Sequence, residues 1–136
     1  MPFLHHRRVP PAASSVTAAA FADALLIMLF AAVGRGAHER GDVVTGVLLT
    51  AWPFLAGAAV GWLASRAWRS PLSVRRAGVV IWLCSLAVGM LLRLLTGQAV
   101  VLPFVIVAFL SLGVLLLGYR MLAAVAARST AKGTAR

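Results

Sequence analysis

Four runs of apolar residues, each close to a membrane's width as a helix, constrain this chain more than anything else in it. They cover about Val16–Val33, Val43–Ala64, Ala77–Thr96 and Val100–Tyr119. A helix rising 1.5 Å per residue needs roughly 20 residues to cross a hydrocarbon core of about 30 Å. Continuous apolarity over such lengths excludes soluble strands, and barrel strands would be shorter and would alternate. The fold class that follows is all-α: a polytopic membrane protein built as an antiparallel four-transmembrane-helix bundle. Composition agrees, since 62% of residues are hydrophobic and charged residues make up 12%, whereas a soluble domain is about half apolar.

The connections are Gly34–Asp42, Ser65–Arg76 and little more than Gly97-Gln98. Links this short make sequence neighbours antiparallel neighbours in space, so an up-down-up-down order is expected. The chain divides into a basic tail (1–15), a four-helix transmembrane domain (16–119) and a second basic tail (120–136), expected to be disordered beyond the helix end. His5, His6, Arg7 and Arg8 resemble the start of a signal peptide, but the following run is too long, contains an acid and lacks a small-residue cleavage site. Cleavage is not expected.

Orientation comes from the basic residues. Arg7, Arg8, Arg66, Arg69, Arg75, Arg76, Arg120, Arg128, Lys132 and Arg136 share one side, against Arg35 and Arg40 on the other, with Arg93 inside a helix. The positive-inside rule then places both termini in the cytoplasm of a multi-pass protein of the cell membrane. Trp62 and Trp68 suit an aromatic belt there. The net charge of +10 does not indicate nucleic-acid binding, because the basic residues cap apolar segments instead of lining one solvated face. The single cysteine, Cys84, leaves no internal disulfide and no cysteine-based metal site.

Asp23 lies within the first span, among Ala, Leu, Ile, Met and Phe. An acid there is costly unless it meets water, protein or a partner charge, and it is a functional-site hypothesis by default. It is read either as a protonatable site for transport or as a carboxyl that hydrogen-bonds a neighbouring helix and fixes the bundle. Arg93, in the last turn of the third span, can snorkel to the headgroups or pack inward. The two backbones differ in depth by roughly 10 Å at ~1.5 Å per residue, so no direct bridge is expected. Better partners for Arg93 sit in the first connection, where Arg35, His38, Glu39 and Asp42 would share one face if the helix continued past Gly34. That cluster is read as a salt-bridged lid at the non-cytoplasmic mouth.

Pro53 should kink the second helix near Leu49–Trp52, because it lacks a donor and crowds the carbonyl four residues earlier. Gly57 and Gly61 form a G-x-x-x-G pair that brings helices close, in the core or at a homodimer seam. No nucleotide-binding, metalloprotease, nucleophile-elbow or C-x-x-C motif is present. No catalytic residue, metal or cofactor is therefore assigned, and the chain is read as a non-enzyme. His38 and Glu39 point about 100° apart on a helix and would not converge on a substrate.

Asp23, VGRGAHERG (33–41), AWPFLAG (51–57), GMLLRLL (89–95), PFVIVA (103–108) and LLGYR (116–120) together resemble the small prokaryotic membrane proteins grouped as domain of unknown function 3054. The resemblance covers about Ala20–Arg120. It implies a four-helix membrane protein without an assigned activity, in which Asp23, Arg35, His38, Pro53 and Arg93 match the family's pattern. In outline the chain is also similar to small multidrug-resistance exporters, a fold-level analogy. Two functional classes follow. The favoured one is a small proton- or ion-linked transporter using Asp23; the alternative is a non-enzymatic accessory or assembly subunit. Its partners are the lipid bilayer and either further copies of itself or another membrane subunit.

Overall fold

Each apolar run becomes one helix in a computed structural model that describes residues 13–36 and 42–134. Helix α1 is Ala13–Gly36, α2 Val43–Ser65, α3 Val79–Leu95 and α4 Leu102–Thr134, with no strand among the described residues. All four, the third counted from Val74 to Leu95, are long and apolar enough to cross a membrane. Each packs on its neighbours in sequence, and α4 closes the ring against α1. The result is a four-helix multi-pass membrane protein.

The helix ends follow from local chemistry. Asp42 caps α2, its carboxylate accepting from the Val44 amide at 3.2 Å and the Thr45 hydroxyl at 2.8 Å, which satisfies donors left open at a helix N-terminus. Ser73 does the same for the Arg76 amide at 3.1 Å, and one wide turn over Val74–Gly78 leads into α3. At the far end of α3, Gly97 takes φ +76, and Gly97 and Gln98 donate their amides to Leu94 and Arg93. Those two bonds are a Schellman turn, which stops α3 and folds the chain back under its last residues.

Helix α4 outruns its expected limit. The apolar run ends at Tyr119 and a basic tail, disordered beyond the helix end, is expected from Arg120; the helix itself continues to Thr134. The segment Met121–Arg128 is rich in Ala with Leu, Met and Arg, the strongest helix formers, and nothing in it breaks a helix. Arg120 therefore lies inside α4.

The core is a set of inward stripes. Ala19, Asp23, Ile27 and Ala31 are buried at four-residue spacing on α1; Ala108, Leu112, Leu116 and Arg120 are buried likewise on α4. Phe30, Phe54 and Phe104 meet between α1, α2 and α4, with Phe30 edge-on to Phe54 at 5.4 Å between centroids. Helices α2 and α3 pack closest. A Cβ built on Gly57 would lie 2.7 Å from the Cys84 carbonyl oxygen and Ser85 Cα, and one on Gly61 2.6 Å from Ile81 Cα. The glycine pair is thus spent on the internal α2–α3 contact. Ser85 stitches the same seam, donating to the Phe54 carbonyl at 2.9 Å.

Pro53 is buried, and α2 runs through it without interruption. The helical donor that Pro53 lacks belongs to the Leu49 carbonyl. That carbonyl is taken up by Gln98, whose Nε2 donates to it at 3.3 Å.

Candidate functional site

The two ionisable residues that the sequence places inside spans occupy separate sites at opposite ends of the bundle. The first forms between α1, α2 and α4, beside the α2–α3 connection. Asp23 is 2% exposed and Arg120 fully buried. Arg120 Nη1 and Nη2 donate to Asp23 Oδ1 and Oδ2, each at 2.8 Å, the two-pronged geometry that suits a guanidinium and a carboxylate. Two more donors complete the set. Trp62 Nε1 reaches Oδ2 at 2.8 Å and the Tyr119 hydroxyl reaches Oδ1 at 2.8 Å. Four donors on two oxygens fill the acceptor capacity of a carboxylate.

Arg120 is satisfied in turn. Its Nε donates to the Pro71 carbonyl at 2.9 Å, and Nη1 also reaches the Leu116 carbonyl at 3.0 Å. The guanidinium carbon lies 4.7 Å from the Tyr119 ring centroid. The ion pair thereby joins α1, α2, α4 and the α2–α3 connection, and its net charge is zero. Close geometry and filled hydrogen bonds are the conditions under which a buried pair offsets the cost of leaving water. A cleft of about 470 Å³ between α1 and α2, lined by Ala20, Ala24, Ala58, Ala59 and Trp62, reaches Asp23 from the side.

Two expectations change here. Trp62, assigned to an aromatic belt, turns inward and binds Asp23. Arg120, assigned to a tail, is the carboxylate's counter-ion. The signal for Arg120 is in the sequence: it continues the four-residue series of Ala108, Leu112 and Leu116, with Met121, Leu122 and Val125 apolar beyond it. Changing Trp62→Phe keeps the ring and deletes one donor to a charged acceptor. We expect a loss of about 1.5–3 kcal/mol, read by unfolding in mixed detergent micelles.

The second site lies at the other end. Arg93 donates from Nη1 to Gln98 Oε1 at 2.8 Å and from Nη2 to the Ala99 carbonyl at 3.0 Å. Its Cζ sits 4.4 Å from the Phe104 ring centroid. Asp23 and Arg93 thus have separate partners. The Schellman turn supplies both acceptors for Arg93, so the partners come from the α3–α4 connection. Asp42 caps α2 and does not extend a face of α1. Arg35 is in the last turn of α1, while His38 and Glu39 lie outside the described residues. The expected lid of Arg35, His38, Glu39 and Asp42 thus falls for the most part outside the described residues.

No curated protein and no solved structure matches the chain. A family model does match it, over residues 20–123, a range that holds both the Asp23–Arg120 pair and Arg93. The chain belongs to the family described as "Protein of unknown function (DUF3054)".

Proposed function

We propose that the protein is a non-enzymatic accessory or assembly subunit of a membrane complex, a rigid four-helix unit and not a proton- or ion-linked carrier. The observation that carries this reading is the closure of the Asp23 carboxylate. All four of its acceptor positions hold donors, two of them from a fully buried arginine. A coupling carboxyl must release its partners to take up a proton or cation. Here release would leave Arg120 buried and unpaired, the most expensive state such a pair can enter. The bundle interior supports the same reading, because Phe30, Phe54, Phe104, Ile27 and Leu112 fill the axis a substrate would follow. The glycine pair cannot serve a partner, since α3 occupies it. The groove between α1 and α4, where Leu29, Val33, Leu110 and Val114 are exposed, is a surface open to another subunit.

The carrier reading retains one observation: the cleft between α1 and α2 gives lateral access to Asp23. Both readings place the termini in the cytoplasm of a cell-membrane protein. With Arg120 neutralised inside the bundle, nine of the remaining twelve basic residues still favour that side.

Native mass spectrometry of the protein extracted from its own membrane in mild detergent separates the two. A stoichiometric foreign subunit is the expected result. A homo-oligomer that retains a small cation, and loses it in Asp23→Asn, would overturn the accessory reading.

A further inference from the structure

Arg93 is a cation with no carboxylate partner among the described residues, in contrast to Arg120. A guanidinium carries five N–H donors. Two of them are used, by Gln98 and Ala99, and Nε is buried without a hydrogen-bond partner. The Phe104 ring covers one side of the group. Arg93 also lines a cleft of about 600 Å³ with Leu49, Thr50, Trp52, Thr96 and Gln98. The cleft is more polar than the one beside Asp23, and the Thr50 hydroxyl on its wall makes no hydrogen bond among the described residues.

The supporting structure is built to hold the arginine in place. Gln98 binds Arg93 through its carbonyl and the Leu49 carbonyl through its amide, so the proline-freed acceptor in α2 fixes the amide that fixes the guanidinium. The acceptors that hold Arg93 are neutral, so no counter-charge among the described residues balances the guanidinium. Arginine in that state is suited to two-pronged recognition of a phosphate or carboxylate.

We infer that Arg93 and Thr50 form an oxyanion-binding site at the end of the bundle opposite the termini, taking a phosphate group through the free guanidinium donors and the threonine hydroxyl. The phosphate can come from an anionic lipid headgroup, since Arg93 lies in the last turn of α3 where a span meets the headgroups, or from a free phosphate in solution. The site does not depend on the accessory reading.

The test uses the full chain in neutral detergent, with phosphatidylglycerol and inorganic phosphate titrated separately and binding read by native mass spectrometry and thermal shift. Arg93→Gln should weaken binding at least ~10-fold, the loss of a charge-assisted hydrogen bond. Arg76→Gln, an exposed arginine at the other end, should leave it unchanged. Arg93-dependent binding of phosphatidylglycerol alone assigns the phosphate to a headgroup; Arg93-dependent binding of inorganic phosphate assigns it to solution. Should Arg93→Gln fail to fold, Thr50→Val removes one donor at nearly constant shape and should weaken binding ~3- to 10-fold without changing the unliganded Tm. Binding of neither probe, binding unaltered in Arg93→Gln (in Thr50→Val where Arg93→Gln does not fold), or binding lost equally in Arg76→Gln overturns the site.

Discussion

Asp23→Asn should destabilise the bundle by about 3–5 kcal/mol, because it leaves the fully buried Arg120 without its counter-charge. Arg120→Met should cost a similar amount by stranding the carboxylate. The informative variant is the double one, Asp23→Asn with Arg120→Met. Two neutral side chains of similar volume remove the buried charge, and exchanges of this kind are often neutral or stabilising. The asparagine can still accept from Trp62 Nε1 through Oδ1 and donate to the Tyr119 oxygen through Nδ2, so neither aromatic partner is orphaned. We therefore expect the double variant to recover most of the loss, with a coupling free energy of several kcal/mol between the two sites. SDS titration of the four proteins measures it. Additive losses would mean that the pair does not act as a unit.

The same series bears on function. If the pair is structural, the double variant should assemble with its partner and retain cellular activity despite having no carboxyl group in α1. If Asp23 carries protons or cations, the double variant should be stable and inactive. Stability and activity separate only in the double variant, since either single change confounds them.

The spans, their order and their pairing were legible in the sequence because length and apolarity are strong signals for membrane helices. That Asp23 must have a partner was legible for the same reason. Which partner was not. Hydropathy drops at Tyr119-Arg120, and an arginine there looks like the basic flank of a span. The inward face of α4 is instead set by four-residue periodicity, which puts Arg120 directly below Leu116. Trp62 misled for a related reason, since a tryptophan near a helix end commonly faces headgroups, and only the position of α1 shows that its indole nitrogen points at a carboxylate. At the other end, the Leu-Leu-Thr-Gly sequence signals a helix stop. That the stop delivers Gln98 to both Arg93 and the Leu49 carbonyl depends on the packing of α2 against the α3–α4 connection, which local sequence does not encode.

Gly57→Ala should cost about 1–3 kcal/mol, an overpacking penalty for one methyl group. The new Cβ would sit 2.7 Å from the Cys84 carbonyl oxygen and Ser85 Cα, and both are backbone atoms that cannot rotate away. Relief requires α2 and α3 to separate, which would lengthen the Ser85–Phe54 hydrogen bond three residues along α2. Gly118→Ala in α4 is the matched control. Nothing lies within 4 Å of its Cβ position, so the change should be neutral or stabilising by up to about 1 kcal/mol through helix propensity. Unfolding in mixed micelles measures both. Oligomeric state, measured alongside, separates the two uses of a G-x-x-x-G pair. A homodimer seam would lose dimer in Gly57→Ala while the monomer kept its stability. An intramolecular seam loses monomer stability whatever the oligomeric state, and that is the result the α2–α3 contact requires.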